Sequence, residues 1–458
     1  MTALTTVVVG GGISGLEAAR RCAHRGDSVT LVEASDVVGG KLVSQDVDGL
    51  RLDVGAESLL ARRPEGVELI AAAERTGDLV HPATSGAGVW LDRLYPLPRQ
   101  QLLGIPTDID DPDLPALLGA DGMDRLRQET PPDVGGDSLG DLTVAELVGG
   151  RLGPDVVDRL VEPLLGGVYA GRADQISAEM AVPGLLDAVR RTGSVVGAAA
   201  SLRSRSAEGP VFASVVGGLG SLPSSIVDAG GFHVLTNTMA VELTPRVGAG
   251  GWTVATDNAE PLQADRVVVA VPAFAAATLL GSVAPRAAAV ASGLQYASVA
   301  LVTVVFDAGD VTALPAGTGF LVPPMTGRLT KAATFVSRKW RWVHDLAPDR
   351  EVLRFSVGRH GDPRGLDLAD AELVSAVLDE VRELLGIVGD PRAALVTRWE
   401  RSLPQFNVEH RARVALARET LPAGIALAGA GWDGVGIPAC IASGREAADR
   451  VGSVIAGG

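Results

Sequence analysis

Hydrophobic and polar positions along the chain follow two different periods, and together they predict an α/β fold. Residues 5–9 and 29–32 are apolar or β-branched at nearly every position, which is typical of strands buried on both faces of a parallel sheet. Residues 16–23, which lie between them, have helical spacing. The runs at 296–306 and 352–357 are strong strands outside this unit, and they predict a separate antiparallel sheet.

The middle of the chain has mainly helical spacing. Residues 144–165 and 180–202 predict helices, the second of them rich in alanine, and residues 371–385 predict an amphipathic helix. Residues 108–140 are rich in Asp, Pro and Gly, which predicts loops and short helices. We therefore expect a mainly helical insertion in the α/β fold.

Several shorter strands follow the helical region. Residues 232–235 and 238–243 predict a pair of strands, and we expect residues 252–255 and 267–271 to continue the same sheet. The longest uncharged apolar run extends from 267 to 285, but Pro272 divides it. The run therefore predicts a buried strand, a turn and a helix, rather than a transmembrane span.

Composition and charge exclude several classes of protein. The 458 residues carry a net charge of −15 without a run of basic residues, which argues against nucleic acid or an anionic membrane as a partner. The two cysteines, Cys22 and Cys440, and the six histidines have no metal-ligand spacing. We therefore expect no disulfide framework and no metal site. The first six residues lack the pattern of a signal peptide, and we expect a cytoplasmic protein.

A glycine motif, Gly10-x-Gly12-x-x-Gly15, follows the first strand directly. In such a motif the first glycine permits a tight turn, the second lets a pyrophosphate approach the backbone, and the third lets the helix pack on the strand. Glu33 ends the second strand, where a carboxylate accepts hydrogen bonds from a ribose and disfavours the 2′-phosphate of NADP. The motif predicts a dinucleotide site with contacts from Gly10, Gly11, Gly12, Ile13, Ser14, Gly15, Glu33 and Ala34.

Two further glycine-rich segments indicate which dinucleotide binds. One is the Gly-Gly-Lys turn at 39–41, and the other is the segment 427–438 near the opposite end of the chain. The turn resembles the second glycine motif of the amine-oxidase-like flavoproteins, most of which have arginine in place of Lys41. The resemblance implies a Rossmann-like domain that binds FAD non-covalently and is closed by the last part of the chain. It also implies FAD contacts from Gly40, Lys41, Gly55, Ala56, Glu57, Ser58, Val241, Trp399, Gly431, Val435, Gly436 and Ile437.

Motifs in the middle of the chain narrow this superfamily. They occupy residues 166–171, 217–223, 296–300, 333–340 and 403–406. Together with both glycine-rich ends, they resemble the porphyrinogen oxidases over essentially the whole chain. The resemblance implies that a tetrapyrrole with saturated bridges loses six electrons in three steps, each of which passes a hydride to flavin N5. It also implies that molecular oxygen reoxidises the flavin and is released as hydrogen peroxide.

The resemblance leaves the substrate open between two porphyrinogens. Coproporphyrinogen III has four propionates and is water-soluble, and the acidic chain with its Gly-Val-Gly-Ile-Pro segment at 434–438 favours it over protoporphyrinogen IX. Competing hypotheses for the function are an amine oxidase or carotenoid desaturase, an NAD-dependent dehydrogenase, and a non-enzymatic protein that binds FAD or a porphyrin. We also consider a transient hand-over of product to later enzymes of haem synthesis.

The chain offers no catalytic dyad or triad, so we expect it to act by positioning. The resemblance places Arg99 in the substrate cavity, where it would pair with a propionate, and Arg338 and Lys339 are the other candidates for that role. Gly167, which has no side chain to keep substrate away, and Tyr169, which would line the flavin face, are the candidates for a direct catalytic role.

This interpretation divides the chain into three domains, two of them assembled from separate segments. The expected boundaries are 1–85, 211–285 and 398–458 for the FAD-binding domain, 86–105 and 286–397 for the antiparallel-sheet substrate domain, and 106–210 for the helical domain.

Overall fold

The first glycine motif follows the central strand of a parallel β-sheet. We describe the protein from a computed structural model, in which the described residues are 3–129, 140–204, 209–246, 248 and 250–453. In spatial order, the strands of the parallel sheet are His233–Leu235, Ser28–Val32, Thr5–Val9, Arg266–Val269 and Ile425–Leu427. Segments from the beginning, middle and end of the chain build this one sheet, which confirms the predicted discontinuous Rossmann-like arrangement.

The prediction of one sheet from residues 232–235, 238–243, 252–255 and 267–271 is wrong for two of its strands. A separate antiparallel sheet is formed by Ala240–Pro245, Trp252–Thr256 and Leu262–Ala264. Short connections let strands that follow one another in the chain pair directly as hairpins, so two of the expected strands lie in a sheet of their own. Only the predicted strands at 232–235 and 267–271 join the parallel sheet.

A larger sheet of seven strands forms the second part of the fold. In spatial order its strands are Ala393–Pro404, Tyr296–Asp307, Arg350–Val357, Thr330–Phe335, Gly319–Leu321, Gly88–Trp90 and Leu94–Pro96. Neighbouring strands are antiparallel, as predicted, except that Gly319–Leu321 and Gly88–Trp90 run parallel. The strand Ala393–Pro404 crosses the boundary expected between residues 397 and 398, so its last residues belong to this sheet.

The two faces of the seven-stranded sheet differ in accessibility. One face, which includes Val302 and Phe355, is buried beneath the helix Asp370–Leu385. The opposite face carries five half-buried residues, which we call the open face: Leu321, Ala332, Thr334, Arg354 and Ser356. Directly paired residues of a sheet share one face, and a central strand is half-buried only where solvent reaches it. The open face therefore borders a water-accessible cleft.

Helices within residues 114–204 form a helical layer with its own apolar core. They are Leu114–Arg127, Ala145–Gly149, Gly150–Leu152, Pro154–Val156, Val157–Val161, Glu162–Tyr169, Ala178–Ala181, Leu185–Thr192 and Val195–Ser204. The helical prediction for 144–165 is confirmed, with an interruption at Gly153, whose φ is 94°. The prediction for 180–202 is divided into three helices, because Gly184 and Gly193 adopt left-handed conformations that end helices.

The remaining elements pack around the two larger sheets. The other helices of four or more residues are Ile13–His24, Pro64–Ala72, Leu222–Gly230, Ala273–Leu280, Pro285–Ser292, Val336–Lys339, Arg341–Leu346, Asp370–Leu385, His410–Glu419, Ala430–Asp433 and Ile437–Ser453. The other strands are Ser44–Val47, Leu50–Asp53, Leu59–Leu60, Leu79–Val80, Gln101–Leu102, Ile105–Pro106 and Phe212–Val215. Of the predicted loop segment 108–140, residues 130–139 lie outside the described residues. Within the described part of the chain, no helix is both long and apolar enough to cross a membrane.

Candidate functional site

The three glycines of the first motif are required for three different reasons. Gly10 has a φ of 105°, which only glycine adopts readily. A Cβ atom on Gly15 would lie 1.9 Å from the carbonyl oxygen of Gly10, so the helix approaches the strand only because Gly15 has no side chain. In contrast, apart from Gly12 and its neighbours in the chain, no described residue has an atom within 4 Å of the Cβ position of Gly12. Gly12 therefore faces an open cradle that a pyrophosphate fits and a side chain would fill.

The helix after this motif begins at the cradle. It comprises Ile13–His24, and its N-cap residue, Gly12, has no side chain to cap the first turn, so N–H groups there are available to a phosphate. Glu33 follows the strand Ser28–Val32, and one of its carboxylate oxygens accepts a hydrogen bond from the N–H of Gly11 at 2.6 Å. This contact holds the carboxylate at the place where dinucleotide-binding folds bind a ribose.

Exposed apolar side chains lie at the side of the cradle beyond Glu33. The N–H of Thr238 donates to the carbonyl oxygen of Glu33 at 2.9 Å, which brings the segment after His233–Leu235 to this side. Met239 and Val241, which follow Thr238, are 48% and 40% exposed. Large apolar groups that stay exposed beside a polar cleft are typical of a ligand-binding surface. The position of Val241 is consistent with its predicted contact to an adenine.

Lys41 lies in the same cleft as the first motif. The Cβ position of Gly40 is only 3.1 Å from the Cα atom of Gly12, and the Lys41 carbonyl oxygen accepts a hydrogen bond from the N–H of Ala56 at 3.0 Å. The Lys41 side chain is open to water, but protein atoms surround it closely enough to lower the pKa of its ammonium. An anion bound in this cleft would stabilise the charged form of Lys41.

The last helix of the chain, Ile437–Ser453, completes the cradle. It packs so closely on the first helix that a Cβ atom on Gly444 would lie 2.2 Å from the carbonyl oxygen of Ser14. Burial raises the pKa of the Cys440 thiol in its first turn, and the charge of Lys41 opposes that rise. Lys41 and the first turns of both helices therefore meet at one place. The predicted FAD contacts that lie in or before this helix are Gly431, Val435, Gly436 and Ile437.

Glu57 belongs to a buried cluster of charges. Its carboxylate forms ion pairs with Lys339 at 2.6 Å and with Arg354 at 2.8 Å, and all three side chains are almost completely buried. Burial alone would raise the pKa of the Glu57 carboxyl, but the charges of Arg354 and Lys339 hold it below its ordinary value. The Glu57 carboxylate therefore pairs with two cations of the protein, one of which is the Lys339 ammonium. The FAD contact of Glu57 and the substrate contact of Lys339 stay predictions. The negative charge of Glu57 and the positive charges of Lys339 and Arg354 offset one another, and any of them would be costly to bury alone.

This cluster joins the segment 53–58 to the seven-stranded sheet. Arg354, which lies on the open face, also donates a hydrogen bond to the carbonyl oxygen of Asp53 at 3.1 Å. Trp399, from the edge strand of the same sheet, donates its indole N–H to the carbonyl oxygen of Val54 at 2.9 Å. The segment that is expected to contact the flavin is thus fixed against the sheet whose open face borders the cleft.

The helix Glu162–Tyr169 passes over the open face. Gly167 is exposed, and a Cβ atom there would lie 3.2 Å from the side chain of Leu321. Tyr169 packs edge-to-face on Phe406, with ring centroids 5.8 Å apart, and burial raises the pKa of its phenol to about 12. Gly167 therefore borders the cleft, whereas the Tyr169 ring is part of the core of the helical layer.

The three residues predicted to bind substrate carboxylates are not brought together. Arg99 is exposed on the loop that follows the strand Leu94–Pro96. Arg338 lies on the surface, with its guanidinium 3.8 Å from the carboxylate of Glu351. Lys339, the next residue, is directed into the buried charge cluster instead. Carboxylate binding remains a prediction for Arg99, Arg338 and Lys339.

Two buried cations near the open face were not predicted from the sequence. Lys331 and Arg359 are only 4% and 7% exposed, although both side chains carry a positive charge at their ordinary pKa values. The sequence itself contains a feature that marks Lys331 as unusual. Only three lysines occur in the chain, and Lys331 stands inside a strand that is otherwise free of charged residues.

The residues along the cleft fit FAD from one end to the other. The exposed apolar groups suit the adenine, and the carboxylate suits the ribose. The open glycine cradle, the helix N-terminus and the cation then follow where the pyrophosphate would lie. The segment 53–58 then leads to the open face. Among the described residues, no three His, Cys, Asp or Glu side chains are grouped so that they could hold a metal ion.

Comparison with known proteins agrees with this geometry. The family model described as flavin containing amine oxidoreductase matches residues 13–452. A Mycobacterium tuberculosis protein named coproporphyrinogen III oxidase is 35% identical, with 98% of each chain covered, and the Bacillus subtilis protein of that name is 30% identical, with 96% covered.

A solved structure is similar over the same length. The crystal structure of an Exiguobacterium sp. 255-15 protein, described as a protoporphyrinogen oxidase, has a TM-score of 0.84 and 31% identity, with 98% of each chain covered. Family model, sequence relatives and solved structure thus agree over nearly the whole chain. The chain therefore belongs to the flavin-containing amine oxidoreductase family, in the group of these porphyrinogen oxidases, and is an FAD-dependent oxidoreductase.

Proposed function

We propose that the protein oxidises coproporphyrinogen III to coproporphyrin III in haem synthesis. The observation that carries this proposal is the attachment of the segment 53–58 to the seven-stranded sheet by Arg354 and Trp399. This attachment brings a water-accessible cleft, bordered by the open face and by Gly167, next to the expected position of the flavin. A macrocycle needs a cleft of this kind, and the names of the full-length relatives support the porphyrinogen class.

The proposed reaction removes three hydrides and three protons from the macrocycle. Conversion of a porphyrinogen to a porphyrin makes the ring aromatic, and this change supplies driving force for the overall oxidation. FAD, when bound, supplies the electron-pair acceptor, and we propose that three molecules of oxygen take up the electrons as three molecules of hydrogen peroxide. The part left to the protein is to orient the macrocycle and to exclude bulk water from the reacting bridge.

The described residues support positioning more than acid–base catalysis. Gly167 is exposed beside Leu321 and presents no side chain to the edge of a flat substrate. Because the pKa of Tyr169 is about 12, its phenol stays protonated at neutral pH and does not act as a base. Arg99 and Arg338 are exposed cations that we propose as contacts for propionates at the rim of the substrate.

The alternative substrate is protoporphyrinogen IX. The observation that favours it is the similarity to the Exiguobacterium structure, whose protein is described by that activity. The two substrates differ in charge, because protoporphyrinogen IX has two propionates where coproporphyrinogen III has four. A site that recognises carboxylates will bind the two porphyrinogens with different affinities.

Initial rates with the two porphyrinogens in aerated buffer test the proposal. Porphyrin fluorescence measures product, while an oxygen electrode and a peroxidase-coupled assay measure the stoichiometry. We expect kcat/KM to be about tenfold or more higher for coproporphyrinogen III, and three molecules of peroxide per porphyrin. A preference for protoporphyrinogen IX would select the alternative, and no turnover of either by FAD-loaded protein would contradict both. A proposed hand-over of product to a later enzyme of haem synthesis would appear as slower release of coproporphyrin III into solution when that enzyme is present.

A further inference from the structure

Lys331 is a buried cation without a partner in the described part of the protein. It is 4% exposed, and neither a hydrogen bond nor an ion pair links its ammonium to any described residue. The other two lysines of the chain differ from Lys331 in their surroundings. Lys41 lies in the cofactor cleft, and Lys339 forms an ion pair with Glu57. An isolated buried ammonium destabilises a fold, so its presence calls for a compensating function.

A second buried cation shares the same neighbourhood. Arg359 is 7% exposed, and its guanidinium donates a hydrogen bond to the carbonyl oxygen of Val322 at 2.8 Å. The N–H of Val322 donates in turn to the carbonyl oxygen of Lys331 at 2.9 Å, so both cationic residues are bonded to Val322. No described carboxylate forms an ion pair with either cation.

The acidic groups around this pair are already engaged. Glu162 accepts a hydrogen bond from the N–H of Ala173, and Glu380 accepts hydrogen bonds from the N–H groups of Leu329 and Thr330. The charge that acts on Lys331 is that of Arg359. The charges that act on Arg359 from the surrounding elements are those of Asp362, Arg364, Glu162 and Glu380.

The position of Lys331 connects the pair to the cleft. The strand Thr330–Phe335 pairs with its neighbour with a shift of register between Thr330 and Ala332, which makes Lys331 the extra residue of a bulge. Bulges of this kind redirect a side chain and are common beside active sites. Ala332 belongs to the open face and pairs with Leu321, which lies beneath Gly167. The backbone of Lys331 therefore lies beside the open face, and Arg359 is joined to it through Val322.

We propose that Lys331 and Arg359 form the site that binds a carboxylate of the tetrapyrrole substrate, and this proposal rests on the function proposed above. A propionate placed between the two side chains supplies the anion that the protein itself does not provide. The bond with each cation is charge-assisted, and burial strengthens it relative to a contact on the surface. The site also gives a physical reason for a preference for a porphyrinogen with more propionates.

Binding at this site is coupled to proton uptake. Burial, with a smaller contribution from the Arg359 charge, lowers the pKa of Lys331 to about 7. About half of the Lys331 side chains are therefore neutral at pH 7 before substrate binds. A carboxylate beside the amine favours its charged form, so binding draws a proton from solution.

The test uses the FAD-loaded enzyme and its variant Lys331→Met. Affinity is measured by titration with coproporphyrin III, which is the stable oxidised form, and KM and kcat are measured with coproporphyrinogen III. We expect the variant to bind coproporphyrin III about tenfold or more weakly and to raise KM, while kcat changes less than threefold and FAD content stays unchanged. Arg341→Gln, which removes an exposed cation, is the control for loss of charge and is expected to leave both constants unchanged.

Proton uptake and stability separate a binding role from a structural one. In weakly buffered solution at pH 7, the wild type is expected to take up about half a proton per coproporphyrin III bound, and Lys331→Met is expected to take up less. The variant is also expected to be at least as thermally stable as the wild type, because it loses an unpaired buried charge. Unchanged affinity, or unchanged proton uptake, in the folded variant would overturn the assignment of the site and leave the proposed function intact. A wild type that neither binds coproporphyrin III nor oxidises its porphyrinogen would overturn both.

Discussion

Substitution by alanine is expected to impair different properties of the protein at two glycines of the first motif. Gly12 has a φ of −68° and a ψ of 171°, which alanine adopts without strain, and its Cβ position faces open space. Gly15 would place its Cβ atom 1.9 Å from a backbone oxygen. Gly12→Ala should therefore impair FAD binding and spare the fold, whereas Gly15→Ala should impair the fold itself.

The magnitudes follow from these contacts. The methyl group of Gly12→Ala would push the pyrophosphate away from the helix N-terminus and weaken one charge-assisted hydrogen bond, which is worth about 1.5–3 kcal/mol. The dissociation constant for FAD should then rise about 10- to 100-fold. The free energy of unfolding of the FAD-free protein should change by less than about 0.5 kcal/mol. For Gly15→Ala, the contact forces the helix away from the strand, and overpacking of this kind costs about 1–3 kcal/mol.

Two measurements on each variant decide the matter. Quenching of flavin fluorescence during titration of FAD-free protein gives the dissociation constant, and urea denaturation without FAD gives the free energy of unfolding. The reasoning would be refuted if Gly12→Ala bound FAD as tightly as the wild type, because the pyrophosphate would then not approach Gly12. It would also be refuted if both variants lost the same stability.

Three further predictions concern buried charges and a buried phenol. Glu57→Gln leaves Lys339 and Arg354 without a counter-charge, and urea denaturation at pH 7 should show a loss of about 3 kcal/mol, whereas a loss below about 1 kcal/mol would contradict the ion cluster. Lys331→Met should raise the free energy of unfolding by about 5 kcal/mol below pH 7, because folding lowers the pKa of the amine from 10.5 to about 7 and each unit is worth about 1.4 kcal/mol. The gain should shrink as pH rises towards 10.5, because the folded protein holds the pKa of this amine at about 7 and the unfolded chain does not. A gain that grows with pH would have the wrong sign. Tyr169→Phe should leave the pH profile of kcat between pH 6 and 9 unchanged, since the phenol has a pKa of about 12, and a shifted profile would show that it titrates.

Much of the cofactor-binding part could be predicted because its signals are local. Strand, glycine motif, helix and Glu33 follow one another within a short stretch, and each residue has its own conformational reason. The pairing of distant strands was harder. The strand Trp252–Thr256 has the composition of a buried strand, but its nearest neighbours in the chain pair with it first, and composition does not distinguish the two outcomes.

The substrate side was predicted less well, because side-chain partners are far apart in the chain. Lys339 was expected to meet substrate, but its partner Glu57 lies 282 positions away, and nothing in either local motif indicates the pairing. The same holds for Lys331. The irregular pairing that singles it out is a property of two strands together, and only the three-dimensional arrangement shows that its ammonium lacks a partner among the described residues.

The central claim is that the protein binds FAD and uses it to oxidise a porphyrinogen. The most direct test is to add coproporphyrinogen III to the FAD-loaded protein without oxygen and to follow the visible absorption of the flavin. We expect rapid bleaching of the flavin band, followed by its return and by porphyrin fluorescence when air is admitted. A flavin that stays oxidised with coproporphyrinogen III and with protoporphyrinogen IX, but is bleached by dithionite, would contradict the proposed function.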